Sequence, residues 1–306
     1  MDGRGADAPT GARLWHRRMT VPMRAAQAQA FSPMLRAGFS RKHPVPDFLV
    51  VILLGLVEGL TEFLPISSTG HLLVAQHWLG QRSETFTIVI QAGAILAVTL
   101  VYRQRLWALL TRWREPANRD YLAKIGLAFA ITAVLGYTVK KLGFTLPDAV
   151  TPVALALIIG GFWILAAERI AKSRPPGTAI TWKVAILVGL AQIVAAIFPG
   201  TSRSAATIFT ALLAGANDRP AATEFAFLVG IPTMFAASGY EILKQLSVGA
   251  HEDWGALVLG FTSATVTGFV AVRWLLGYIK RHSYTPFAIY RIVFGVVLLL
   301  IVPTGG

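Results

Sequence analysis

Residues 58–71 read EGLTEFLPISSTGH, and they interrupt an apolar run that opens FLVVILLGLV at Phe48. The stretch sets two carboxylates, a proline, four hydroxyls and a histidine where hydrocarbon surroundings are expected. Glu58 and Glu62 are four apart, so on a helix they share a face, and each charge in mid-membrane costs roughly 2.5 to 3.5 kcal/mol. No Lys or Arg lies between Phe48 and Arg82. The pair therefore requires a cation, a shared proton or a basic group from elsewhere in the fold, unless one acid is protonated as a cap and the other reaches water. Pro65 predicts the end of the helix. Ser67, Ser68, Thr69 and Gly70 predict the start of the next, where hydroxyl caps and free backbone donors make either a plain N-cap or an anion site.

Composition supplies the setting. Of the 306 residues 55% are apolar and 14% charged, with a mean hydropathy of +0.59, against about 25% charged in a soluble domain. The expectation is an all-α, polytopic membrane protein. Apolar segments at 48–64, 66–80, 86–102, 121–139, 150–168, 183–198, 203–216, 224–243, 255–279 and 287–302 are measured against a bilayer core that needs about 20 helical residues. Three of them, 66–80, 183–198 and 203–216, are short or broken. Cysteine is absent, which excludes disulfides and thiolate chemistry.

The net charge of +13 is concentrated at the start. Arg4, Arg13, Arg17, Arg18, Arg24, Arg36, Arg41 and Lys42 stand against Asp2 and Asp7, without the apolar core of a secretory signal. Residues 1–45 read as a disordered basic extension, or as an over-long start with Met19, Met23 and Met34 as other starts. No nucleic-acid partner is read from this charge. Residues 46–306 form the single membrane-embedded domain.

Loop charges orient the spans. Arg103, Arg105, Arg112, Arg114, Arg119 and Lys124 mark one loop, Arg169, Lys172, Arg174 and Lys183 a second, and Arg273, Lys280 and Arg281 a third. The positive-inside rule puts these in the cytoplasm and the loops at 140–150 and 244–254 outside. Six crossings (86–102, 121–139, 150–168, 224–243, 255–279, 287–302) then alternate, while 48–80 and 183–216 must return to the side they enter as re-entrant helical hairpins. Sliding the sequence by 134 positions lays GLVEGLTEFLPISST on GLAQIVAAIFPGTSR, matching Gly55 with Gly189, Leu56 with Leu190, Glu58 with Gln192, Pro65 with Pro199 and Ser68 with Ser202. Two halves of inverted topology, about 48–170 and 183–302, with broken helices meeting at mid-depth, are a known way to build a polar site in a membrane.

The second broken element, FPGTSRSAATIF at 198–209, repeats the design with a different charge. Pro199 and Gly200 make the break, and Thr201, Ser202 and Ser204 supply donors at the next helix start. Arg203 presents a planar fork suited to bidentate phosphate binding, or serves as the counter-ion of Glu58 or Glu62. His71 is a candidate proton carrier or a hydrogen-bonded structural residue; His77 reads as structural. Gln91, Gln192, Glu224, Glu241 and Arg291 receive no chemistry from spacing, although Glu224 and Arg291 are candidates to pair.

At these residues the chain resembles the bacterial undecaprenyl-diphosphate phosphatases, also called bacitracin resistance proteins. EGLTEFLPISSTGH and PGTSRSAAT are similar to the two signature motifs of that family, and the resemblance runs from about residue 46 to the C-terminus, through EFAFLVGIP at 224–232 and PFAIYR at 286–291. Ala205 stands where the family pattern PGxSRSG has its last glycine. The resemblance implies removal of the terminal phosphate of undecaprenyl diphosphate, recycling the lipid carrier for cell-wall synthesis. It also implies a divalent cation, Mg2+ or Ca2+, and a site facing the periplasm in the bacterial cytoplasmic membrane. Carried over, Glu58 and Glu62 are the paired acids and metal ligands, Ser68 the nucleophilic serine, His71 the family's histidine, and Arg203 with Ser202 the phosphate-binding pair. Ser67, Thr69, Thr201 and Ser204 add substrate donors. The partners implied are the polyprenyl diphosphate and membrane lipid, with a homo-oligomer left open.

A transporter or flippase of a polyprenyl phosphate shares inverted repeats and anion-binding helix starts. The acid pair separates the two, since metal-assisted hydrolysis uses carboxylates beside the phosphate directly and transport of an anion does not.

With single reporter groups introduced along the chain, loops at 81–85 and 140–150 are expected to label from the outer face and those at 103–120 and 172–182 to stay protected in intact cells. Outside labelling at 103–120 refutes this topology. The expected topology, whose first hairpin enters from outside, puts the basic N-terminal tail outside, against the tail's own charge bias.

Overall fold

A computed structural model describes residues 45–143, 149–175, 177–247 and 253–301. The expected basic extension at 1–45 lies, but for its last residue, outside the described residues, as do the tips of the loops around 144–148 and 248–252. The described residues contain eleven α-helices and no strand: α1 Asp47–Thr61, α2 Ser68–Leu79, α3 Glu84–Val101, α4 Arg103–Thr111, α5 Pro116–Lys141, α6 Val150–Lys172, α7 Trp182–Ile197, α8 Arg203–Ala214, α9 Arg219–Ser247, α10 Trp254–Ile279 and α11 Thr285–Ile301. Five of them, α3, α5, α6, α9 and α10, are long and apolar enough to cross a membrane. The sixth expected crossing, α11, has 17 described residues, at the low end of the range of about 17 to 25 that a crossing takes.

Three local expectations need correction. Helix α1 does not run to Pro65: it ends at Thr61, with Glu62 as its C-cap, and 62–66 is a run of turns. The proline disfavours helical geometry in the residue before it, and the chain leaves the helix a full turn ahead of that restriction. Second, the basic loop after α3 holds a helix, α4, whose sequence RQRLWALLT is rich in good helix formers. Leu109 faces inward while Trp107 and Leu110 stay exposed, the pattern of a helix lying at an interface. Third, Glu224 and Arg291 do not pair. Glu224 accepts from Arg105 Nε at 3.0 Å, and Arg291 is fully buried among backbone carbonyls.

The helices pack in a pattern that repeats. Helix α10 lies against α1 and α3, and α5 lies against α7 and α9; α3 meets α9, and α6 meets α11. If α1, α2, α3, α5 and α6 are matched in order with α7, α8, α9, α10 and α11, each of these contacts maps onto another or onto itself. The fourth matched helix of each half, α5 or α10, thus packs on the opposite half, so the halves interlock. Small residues make the crossings close, as is usual where lipid removes the hydrophobic drive between helices. Gly55 and Gly59 of α1 meet Gly260, Ala264 and Gly268 of α10, and Gly189 of α7 meets Ala128 of α5. A Cβ on Gly59 would overlap the Ala264 carbonyl and come within 2.8 Å of Gly268 N.

Gly59→Val should therefore force α1 and α10 apart and lower both the folded yield and the unfolding temperature in detergent. Gly126, which has nothing within 4 Å of an added Cβ, serves as control: Gly126→Ala is expected to keep or raise stability by about 0.5 to 1 kcal/mol. Equal unfolding temperatures for the two variants would contradict this account of the α1–α10 crossing.

Candidate active site

The two broken elements meet at their turns. Helix α1 packs on α2 and α7 on α8, joined by the segments 62–67 and 198–202. The N-cap of α2 is Ser67 and that of α8 is Ser202. They are the two non-glycine residues with positive φ among those described, at φ 73° and 68° with ψ 100° and 114°. Such a conformation is costly for a residue with a Cβ and persists only where the surroundings enforce it. It aligns the halves by 135 positions at the turn rather than the 134 of the sequence slide: Ser67 matches Ser202, and Ser68 matches Arg203. The second turn has one more residue after its proline, and Gly200 at φ 89° absorbs it.

Across this junction runs a chain of polar contacts. Ser68 Oγ donates to Glu62 Oε2 at 2.5 Å, and Arg203 Nη2 is ion-paired with Glu62 Oε1. Ser204 Oγ donates to Leu64 O at 3.0 Å. Its proton is thereby committed, so in the 3.0 Å contact between the two hydroxyls Ser202 donates to Ser204, while Ser202 Oγ accepts from Ala205 N. One half contributes the carboxylate and the serine, the other the guanidinium.

A cavity of about 490 Å³ opens beside this chain. Glu62, Ser68, Thr69, Gly200, Ser202 and Arg203 form its inner wall. Residues of both helix starts, α2 and α8, thus line the cavity beside an arginine, an arrangement suited to binding a phosphate. The cavity also borders Gln192 and Thr132 and reaches Lys140 and Glu241, an ion pair at the far ends of α5 and α9.

The remaining sequence candidates sit apart from that wall. Glu58 lies one turn behind Glu62, 1% exposed, and its Oε2 has no hydrogen-bond partner among the described residues. Ser67 is equally buried with an unpartnered hydroxyl. Thr201 faces a second, apolar cavity of about 760 Å³ between α6, α7 and α8. His71 has both ring nitrogens committed: Nδ1 lies 2.7 Å from Ser67 O and Nε2 2.7 Å from Tyr290 Oη. Because a carbonyl can only accept, Nδ1 carries the proton and the tyrosine donates to Nε2. The ring stacks on Phe294 at 4.5 Å, and no described hydrogen bond joins it to Ser68. His77 is exposed, its ring edge-on to Trp78.

Sequence reasoning gave no role to Gln192, Tyr290 or Lys140. Gln192 Nε2 donates to Thr132 Oγ1 at 2.8 Å while its Oε1 is unpartnered. The pairing of Gln192 with Glu58 in the 134-residue slide was the available signal. Tyr290 lies in the PFAIYR stretch, but a tyrosine 219 residues from its histidine leaves no local trace.

Two carboxylates a turn apart, one with an orphaned buried oxygen, together with hydroxyl and phosphate oxygens, make a donor set of the hard-oxygen kind that Mg2+ or Ca2+ takes. No group of three or more His, Cys, Asp or Glu at ligand spacing occurs among the described residues, so substrate oxygens would have to complete such a site, as is usual for Mg2+.

Residues 51–297 match the family model described as bacitracin resistance protein BacA. A Rhizobium etli protein named undecaprenyl-diphosphatase is 63% identical over 261 residues, covering 85% of this chain and 98% of the relative. One of the same name from Xanthomonas axonopodis pv. citri is 59% identical over 262 residues, covering 85% and 99%.

The pair between Arg203 and Glu62 separates two roles for the arginine. A lysine preserves an ion pair but lacks the planar fork, so Arg203→Lys should fold normally, as size-exclusion chromatography will show. It should still lose on the order of a hundred-fold in kcat for phosphate release from a long-chain prenyl diphosphate. Near-normal kcat would mean that charge alone matters.

Proposed function

This chain belongs to the family of the bacitracin resistance protein BacA, and from that membership we infer that it is an undecaprenyl-diphosphate phosphatase. It removes the terminal phosphate of undecaprenyl diphosphate and returns the monophosphate carrier to peptidoglycan synthesis, the activity behind bacitracin resistance. The observation that carries the chemical reading is the Ser68–Glu62–Arg203 chain across the two turns.

In this reading the terminal phosphate enters the wall formed by the two helix starts and draws Arg203 off Glu62 by bidentate contact. Glu62, freed of its ion pair, takes the proton of Ser68 along the bond they already share, and Ser68 Oγ attacks phosphorus. The bond from phosphorus to the bridging oxygen breaks and the lipid monophosphate leaves. A water then attacks the phosphoserine phosphorus, the P–Oγ bond breaks, Glu62 returns its proton to Ser68 Oγ, and inorganic phosphate departs with the proton lost by the water. Arg203 and the helix starts hold the charge that develops on the phosphoryl oxygens. His71, with both nitrogens committed, orients the Ser67 carbonyl and with it the turn that presents Ser68. Glu58 and Glu62 would hold a divalent cation, which when bound supplies Lewis-acid charge at the phosphoryl oxygens.

We place the protein in the bacterial cytoplasmic membrane with its site open to the periplasm. Loop charge supports this: the cavity reaches Lys140 and Glu241, at the helix ends opposite the basic loops that carry Arg105, Arg169 and Arg174. The same orientation makes α1–α2 and α7–α8 re-entrant hairpins. A flippase would share the fold, but the serine donating to a carboxylate beside the phosphate wall favours hydrolysis.

Purified protein should release phosphate from a long-chain prenyl diphosphate and lose that activity with chelator, regaining it with Mg2+ or Ca2+. Glu62→Gln keeps volume and hydrogen bonding but cannot take the proton, so turnover should nearly vanish in a folded protein; Glu58→Gln should act more mildly. Unchanged turnover and metal dependence in the double variant would exclude both roles. A carrier would instead move the lipid across vesicles with no phosphate released.

A further inference from the structure

The mechanism above leaves unused the largest fully buried side chain, Arg291 of α11, which is 0% exposed. Its described partners are four backbone carbonyls: Nη1 donates to Pro65 O at 3.3 Å, Nη2 to Gly200 O and to Ala156 O at 3.1 Å each, and Nε to Leu157 O at 3.4 Å. Pro65 and Gly200 are equivalent. Each lies two residues before the positive-φ serine of its own turn, and each lies three residues before a member of the reacting chain, Ser68 on one side and Arg203 on the other.

We propose that Arg291 is a positioning residue of the phosphatase, which holds the same carbonyl in both turns and so fixes the distance between Ser68 and Arg203. The proposal rests on the functional reading above. Neither half can set this distance alone, because Ser68 and Arg203 belong to different broken elements. The ion pair of Arg203 with Glu62 cannot set it either, since phosphate must displace that pair. What remains across the junction during the reaction is Ser204 on Leu64 O and the Arg291 fork, which alone reaches both turns from a third element. A planar group with donors on separate nitrogens spans two carbonyls; an ammonium is a single point. The fold makes room for it: a Cβ on Gly160 would fall on the guanidinium, within 2.9 Å of Cζ.

Two variants disturb the clamp differently. Arg291→Lys keeps the buried charge and loses the fork; Gly160→Ala keeps the arginine and pushes it off its carbonyls. Full-length protein in detergent is compared for kcat and KM on a long-chain prenyl diphosphate, with the folded fraction measured by size-exclusion chromatography and thermal unfolding, and with Gly126→Ala as control. The expected result is a fall in kcat per folded molecule of about tenfold or more, since a displacement on the order of 1 Å at reacting groups can cost a hundred-fold. KM should change less than threefold, because the phosphate donors are still present. A purely structural role predicts fewer folded molecules, each turning over at the normal rate, and that result overturns the proposal. So does failure of both variants to fold at all, which would make Arg291 a folding determinant only. An inactive wild-type protein refutes the phosphatase reading instead.

Discussion

Two helices that stop short inside a packed bundle leave carbonyls that the helices themselves cannot pair, and the buried ones must be answered from elsewhere in the protein. The guanidinium of Arg291 answers for both turns at once, through Pro65 O and Gly200 O. A hydrogen bond from a charged donor contributes roughly 1.5 to 3 kcal/mol, so several together offset the cost of burying the cation. Ala156 and Leu157 of α6 complete the set, and a side chain at Gly160 would crowd the guanidinium. The junction on which the candidate site is built therefore depends on one side chain from the last helix and on the lack of one in α6.

The interlocked packing serves the same end. Because α10 lies on α1 and α5 on α7, each broken element is held by a long helix from the opposite half, and neither half carries a complete site. Glu62 and Ser68 come from the first turn, Arg203 from the second. The acid that is costly in lipid is thus neutralised by an arginine equally costly there, and the pair is held where an anionic substrate can separate it. The strained serines at the two helix starts fit this picture: backbone strain at Ser67 and Ser202 persists because packing over-determines both turns, and residues of both helix starts line the same cavity.

The polar groups sort into those that hold the junction and those that face the cavity. Ser204 spends its hydroxyl on Leu64 O, and His71 spends both nitrogens on Ser67 O and Tyr290. Ser68, Thr69, Ser202 and Arg203 remain on the wall. Residues adjacent in a motif thus take opposite tasks, because neighbours at a helix start point in directions about 100° apart.

By itself the sequence determined whatever depends on near neighbours. Apolar length marked the helices, proline and glycine marked both breaks, serine and threonine marked the helix starts, and two acids four apart announced a buried charge that needed a partner. Local rules carry such information because turn chemistry and helix capping act over a few residues. The partner itself was open: Arg203 read either as a phosphate fork or as the counter-ion of Glu58 or Glu62, and Arg291 was no more than a candidate to pair with Glu224. Tertiary structure decided that Arg203 meets Glu62 across 141 residues, that Arg291 meets Pro65 across 226, and that Tyr290 holds His71 across 219. It also moved the register of the halves by one at the turn. A pairing over such separations is fixed by how interlocked helices pack, and packing depends on the shapes of all faces together, which no local pattern in the chain encodes.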